Sequence, residues 1–393
     1  MEKTLLSIAL ILVATKLGGI VSRKLKMPEV LGALLAGIIL GPLVLNLVKY
    51  DENIKLLSNL GVILLMFLAG LESDVEQLKK AGKSSFLIAL LGVAAPLVLG
   101  TLSAFLVSGD ITQNIFIGVI LTATSISISV ETLTELGKLN SRVGVNILGA
   151  AVIDDILGLI LISTLLAYNT QGVGLPFFMT LLVILLFCAG GILAIVFIPR
   201  LLNKYMKNVR PGRTVLTLAL AGALLMAFVA EESGIAAITG AYLFGLLLSQ
   251  LEHKEYLERN VKAISSGFLS LIFFASIGLQ IELNGINAGV LLMSAIMFVV
   301  AVLGKVVGCG LGARAFRLGR SESLQVGVGM ISRGEVAIIT ANIGLQNNMI
   351  SQEVFIPTLI VVLLTTVVTP ILLKVVFSHK VESRLGGRPA GAA

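Results

Sequence analysis

Tryptophan is absent, histidine and cysteine occur twice each, and only 13% of the 393 residues are charged. A water-soluble domain usually carries about a quarter charged residues, so this chain lacks the polar surface to cover a globule in water. Cys188 and Cys309 stand inside apolar runs without metal-ligand spacing, and read as small packing residues and not as a disulfide framework. His253 and His379 fall in loops, where they are expected at solvated surface; they form no cluster, so no metal centre is expected. No nucleophile–base constellation or cofactor motif is present, which argues against an enzyme. With no tryptophan and nine prolines, an aromatic belt gives no help in placing membrane boundaries.

What the chain does have is apolar length. Hydrophobic residues make up 56%, with a mean hydropathy of +1.02. They fall in runs of about 20 residues separated by short polar loops, the pattern of an all-α polytopic membrane protein. Thirteen segments are expected, over 3–22, 29–47, 55–72, 84–107, 112–134, 143–168, 175–199, 213–231, 234–250, 263–281, 288–313, 321–346 and 353–376. The first lacks a strongly basic start and a small-residue cleavage site, and reads as a retained helix. The spans leave no room for a soluble domain, and the closing GGRPAGAA, residues 386–393, is set aside from the fold. Forty-one glycines suit close helix packing and helix breaks in lipid.

The net charge of +7 could point to nucleic acid, but its distribution gives a better reason. Alternate loops collect the basic residues: Arg23 and Lys24, then Lys79, Lys80 and Lys83, then Lys138 and Arg142, and so on to Lys374 and Lys380. The opposite loops hold Lys3, Lys49 and Lys55. By the positive-inside rule the N-terminus lies outside and the C-terminus in the cytoplasm.

Internal similarity points to duplication. GALLAG at Gly32 returns as GAYLFG at Gly240, and GLE at Gly70 as GLQ at Gly278, both 208 residues on. Gly118-Val119 and Gly327-Val328 echo one another at 209, each leading into a polar break. The offset maps segments 2, 3 and 5 onto 9, 10 and 12. A shift of seven spans, an odd number, turns the second copy upside down, which is the inverted-repeat architecture of secondary transporters. Segment 5 carries TATSISISVET, residues 122–132, whose serine alternation predicts unwinding near Thr124–Ser129. Segment 12 carries Arg333, Gly334 and Glu335 within GVGMISRGEVAII. Two broken helices that meet leave opposed helix ends, which Glu335 and Arg333 can compensate at the positive and negative sides. A mutual salt bridge locking the crossing is the competing role for this pair.

The costliest residues are Asp154 and Asp155, side by side in LGAAVIDDILGLILI. An aspartate at the centre of a membrane helix costs about 2.5–3.5 kcal/mol, so the two cost roughly 5–7 kcal/mol. Helical neighbours point about 100° apart. One can therefore face a cation path while the other meets a partner, for which Lys305 in VVAVLGKVVGCGLG is the candidate. Such a pair serves either to hold two helices together or to couple proton and cation movement.

Taken together, VIDDILGL, ATS at 123–125, LGKVVG, VGVGMISRGEVAII, MPEVLGALLAGIILGP and FLAGLES resemble the bacterial sodium/proton antiporters of the cation:proton antiporter superfamily, of the NapA type in its antiporter-2 branch. The resemblance covers nearly the whole chain. It implies an NhaA-like fold of thirteen helices and a homodimer. Helices 1–3 (residues 1–83) and 8–10 (213–284) would form the scaffold, and helices 4–6 (84–170) and 11–13 (285–378) the moving core. Residues 171–212 would hold linking helix 7, and residues 379–393 a cytoplasmic tail. It further implies Asp155 as the cation and proton carboxylate, Asp154 as the partner of Lys305, Thr124 and Ser125 as oxygen ligands, and Arg333 and Glu335 on the second crossing helix. Transport would be of Na⁺ or Li⁺ against H⁺ without a cofactor, and electrogenic as in other two-aspartate members. Glutathione-gated potassium efflux systems are similar, but pair Gln with Asp and carry a nucleotide-binding domain; both departures argue against that reading, although potassium stays open as the ion. A sodium-coupled symporter of an organic solute is the alternative class, and the few extra polar residues in the spans weigh against it.

Overall fold

The computed structural model describes residues 2–25, 27–105, 109–169, 175–206, 212–233, 235–280 and 288–385. Among the described residues every regular element is helical. In chain order these are α1 (Glu2–Lys24), α2 (Glu29–Leu40), α3 (Glu52–Glu72), α4 (Val75–Ala104), α5 (Ile111–Ile120), α6 (Ile126–Glu135), α7 (Arg142–Asn169) and α8 (Leu175–Met206). They continue with α9 (Arg213–Glu232), α10 (Ala237–Leu248), α11 (Lys254–Ile264), α12 (Ser270–Leu279), α13 (Ala288–Ala315), α14 (Arg320–Gly329), α15 (Glu335–Gln346) and α16 (Gln352–Leu385). A π-helical turn, Ser265–Leu269, joins α11 to α12 without a break. Nine stretches among the described residues are long and apolar enough to cross a membrane, and four shorter apolar helices accompany them. Large apolar side chains such as Leu5, Leu17, Leu102, Leu186, Leu218 and Phe228 point outwards. Water would penalise such a surface and lipid would not.

The helix starts follow from their capping residues. Asp51 accepts from Ile54 N–H and opens α3, and Asp110 accepts from Thr112 N–H and opens α5. Asp74 opens α4 by accepting from the backbone N–H groups of Gln77 and Glu76 and from the Gln77 side chain. The bonds from Gln77 hold its carboxyl below the ordinary carboxylate range.

Several expectations shift in detail. The unwound part of segment 5 lies earlier than Thr124–Ser129: α5 stops at Ile120, residues 121–125 are non-helical, and Ser127 and Ser129 are already in α6. The position is set by tertiary partners and not by the serine alternation, since Ser125 N–H donates to the Ser332 carbonyl at 2.8 Å. Segment 10 begins earlier, because amphipathic α11 runs into it through the π turn. His253 is not solvated surface; it is 7% exposed at the turn between α10 and α11. Cys309 is free and buried, as a packing residue should be. The side chains of Cys188 and His379 lie outside the described residues.

The packing that positions the chemistry is between α4, α7 and α13. Helix α13 lays Gly304, Gly308 and Gly312 against Pro96, Leu91 and Ile88 of α4, where an added Cβ would collide with backbone. Small residues at every fourth place let two helix backbones touch in an apolar medium. They also carry Lys305, between them in sequence, to complete burial. We predict that Gly308→Leu forces α13 off α4 and costs about 1–3 kcal/mol, as overpacking does. Gly82→Ala, on α4 where a Cβ meets nothing, should instead be neutral or gain up to about 1 kcal/mol. Thermal unfolding of the two variants in detergent checks the difference.

Candidate functional site

The two chain breaks cross. Ser125, at the end of the first break, donates its N–H to Ser332 in the second, and Ser129 Oγ donates to the Gly329 carbonyl at 2.6 Å. Gly334 permits the approach, since a Cβ there would press on the Ser125 side chain. Helix α16 closes the third side: Thr366 Oγ1 donates to the Arg333 carbonyl at 2.7 Å, and Arg333 N–H donates to Thr365 Oγ1 at 3.2 Å. Breaking a helix inside an apolar bundle frees backbone groups that must find other partners, and these bonds supply them.

Arg333 is 1% exposed, and its guanidinium sits on the carbonyl ends of the broken helices. Nη2 donates to the Leu121 carbonyl at 2.6 Å, at the C-terminus of α5, and to Ala301 of α13 at 3.3 Å. Nη1 donates to Ile331 at 3.2 Å and Met330 at 3.5 Å, just past α14. A helix C-terminus carries partial negative charge and unpaired carbonyls, so one cation serves both ends. Glu335 begins α15, but its side chain lies outside the described residues.

Asp154 and Asp155 lie on α7 and meet different surroundings. Asp154 is 3% exposed, and its Oδ1 accepts from Lys305 Nζ at 2.9 Å, with the lysine 0% exposed. Asp155 is half-buried, and its Oδ2 accepts from Thr239 Oγ1 of α10 at 2.9 Å. The step of about 100° between helical neighbours is therefore used, one carboxylate turned to an ammonium and the other to a hydroxyl. Thr124 and Ser125 are buried in the first break, at 4% and 1% exposure; Thr124 Oγ1 lies 3.5 Å from the Thr122 carbonyl. The structure thus brings together Asp154 with Lys305, and Ser125 with the Arg333 segment.

These features decide what the comparisons mean. A profile of sodium/hydrogen exchangers, transmembrane, matches residues 9–379. The chain belongs to the sodium/hydrogen exchanger family. The resemblance read from the motifs is borne out at that level, and the chain is a multi-pass cation/proton antiporter. Among its relatives, the Na⁺/H⁺-K⁺ antiporter GerN of Bacillus cereus is 40% identical over 375 residues, covering 95% of this chain and 96% of that one. A Na⁺/H⁺ antiporter of Enterococcus hirae is 38% identical over 378 residues, covering 95% and 98%. The fold is similar to that of the sodium proton antiporter MjNhaP1 of Methanocaldococcus jannaschii, with a TM-score of 0.75 at 16% identity and full coverage of both chains.

Sequence reasoning missed three features of this exchanger. One is Thr239, whose signal was a threonine in ITGAYLFG immediately before a repeat motif. Another is Glu135 at the end of α6, which accepts from the N–H groups of Glu29 at 2.6 Å and Val30 at 3.0 Å and so caps α2. The third is a cavity of about 290 Å³ beside that cap, which Glu29, Glu72, Glu131, Glu135, Lys16 and Lys262 help to line. Asp154 and Asp155 do not line it.

We predict that Arg333→Met destabilises the protein by several kcal/mol, because buried carbonyls left without donors cost about 1–3 kcal/mol each. Arg320→Met, at an exposed arginine, should stay within about 0.5 kcal/mol. Unfolding midpoints in detergent, compared for the two variants, test this.

Proposed function

We propose that this antiporter exchanges Na⁺ or Li⁺ for protons, with cation and proton competing at Asp155 and the Asp154–Lys305 pair coupled to that exchange. The observation that carries the reading is the contrast between the adjacent acids: Asp154 is bound to a buried ammonium, and Asp155 is half-buried against a hydroxyl. An ionised carboxylate supplies hard oxygen for a small cation, and the same oxygen can take up a proton when the cation leaves. Competition at a site that opens alternately to each side is antiport. If a cation draws Asp154 away from Lys305, the lysine loses the charge that stabilised its proton, and a second proton can leave. That gives electrogenic exchange of two protons per cation. Thr124 and Ser125 add oxygens at the crossing, Arg333 neutralises the helix C-termini, and Glu335 the N-termini.

Thirteen crossings fit this reading, nine by the long stretches and four by the shorter apolar helices. Packing supports the division into two halves. Helices α4, α7, α13, α14 and α16 contact one another, as do α1, α2, α3, α9, α10 and α12. We assign the first group to the moving core (84–170 and 285–378) and the second to a dimerising scaffold (1–83 and 213–284). Helix α8 links them, and the end of α16, residues 379–385, faces the cytoplasm; residues 171–174, 207–211 and 386–393 lie outside the described residues. Helices 1–6 and 8–13 form the inverted repeats, with the N-terminus outside the cell membrane and the C-terminus inside, as the loop charges favour. Potassium is the second reading for the ion, favoured by the potassium in the name of the GerN relative.

In proteoliposomes with a pH indicator inside, added Na⁺ should move protons, and Asp155→Asn should reduce that movement to background. Proton movement that survives the substitution refutes the role of Asp155. Lys305→Gln should keep Na⁺-dependent exchange but lower the charge carried per Na⁺, read from transport currents; an unchanged ratio would leave Lys305 a structural role only.

A further inference from the structure

Asp155 takes its hydrogen bond from outside its own helix group. Thr239 lies on α10, which packs on α3 and α9, whereas Asp155 lies on α7, which packs on α4. Helix α10 is held close: Gly240 meets the Met226 backbone of α9, and Gly245 meets the Phe67 backbone of α3. The Thr239 hydroxyl is therefore presented by a fixed support, and it is 4% exposed.

Its place in the helix leaves that hydroxyl available. Threonines deep in helices bond back to the carbonyl four residues earlier, as Thr132, Thr340 and Thr358 do here. Thr239 is in the first turn of α10, with no complete helical turn before it. Packing does not call for a hydroxyl at this place either. The corresponding position of the other repeat, 208 residues earlier, is Leu31, before the GALLAG that matches GAYLFG. Helix α10 also has no side-chain cap of its own, so its partly positive end lies beside the acid.

We infer that Thr239 completes the cation site from the opposite helix group. A threonine hydroxyl has one O–H to donate and two lone pairs to offer. With the site empty, Oγ1 donates to the ionised carboxylate and holds it in place. When a monovalent cation binds, the hydroxyl rotates its proton away and offers a lone pair as a neutral oxygen ligand. A site completed across the two groups is whole only while they are apposed, so movement of one past the other weakens the hold on the cation. This rests on the proposed role of Asp155.

Thr239→Val keeps the shape and removes the hydroxyl; Thr239→Ser keeps the hydroxyl. In proteoliposomes containing the full chain, Thr239→Val should raise the KM for Na⁺ about tenfold, the size of one hydrogen bond to a charged group. The maximal rate should stay within about twofold, and Thr239→Ser should restore the KM. If the valine variant does not fold, Thr239→Ala carries the same expectation. An unchanged KM, or equal impairment of the hydroxyl-free and serine variants, overturns the inference. Asp155→Asn is assayed alongside. Exchange that survives it overturns both the role of Asp155 and this inference, whereas exchange lost there but unaltered by Thr239→Val overturns the inference alone.

Discussion

Two helices stop and restart inside an apolar bundle, and every backbone group they release must be satisfied without water. That constraint organises the centre of the molecule. The first break gives up the Leu121 carbonyl and gains it a bond from Arg333; the second gives up Ser332, which receives the Ser125 N–H. Threonines 365 and 366 of α16 take the remaining backbone of Arg333. Neither break is satisfied alone. Each supplies what the other lacks, so the crossing forms as a unit or at a cost of several unpaired polar groups, about 1–3 kcal/mol each.

The Asp154–Lys305 pair sits under a different logic. Removing both charges from water costs several kcal/mol per ion, and mutual attraction at 2.9 Å repays this only with good geometry. Well-packed apolar residues of similar volume often serve stability as well. Burial of the pair is therefore weak evidence for a structural purpose. The glycine face of α13 that brings Lys305 to its place does not need a charge there in order to pack on α4. A charge kept where packing does not require it fits the proposed coupling to ion exchange, which does require groups able to change charge.

The membrane segments and the costly charges were legible in the sequence because each follows from local composition, and the family was legible through the motifs that resemble it. An aspartate in an apolar run is expensive wherever the run folds, and a basic loop is visible before any contact is known. The Asp154–Lys305 contact spans 151 residues, yet was readable because few other charges lie within the segments. What stayed hidden was tertiary. Ser127 and Ser129 were expected in unwound chain, but the partner that fixes the break, Ser332, is distant in sequence. Glu135 looked like the end of a segment and not the cap of a helix 105 residues earlier. His253 looked like a loop residue, and the turn around it buries it.

The adjacency of the acids now has a geometric consequence. One residue of helix turns the side chain by about 100°. A single rigid element, α7, thus presents one carboxylate to Lys305 and the next to Thr239, on helices that pack in different groups. Had the acids stood three or four residues apart they would share a face, competing for one partner and repelling each other. Neighbours in sequence avoid this while remaining close enough for a charge on one to be felt by the other. The same peptide step that separates their partners keeps the two carboxylates close, as the proposed exchange of protons for a cation at one locus requires.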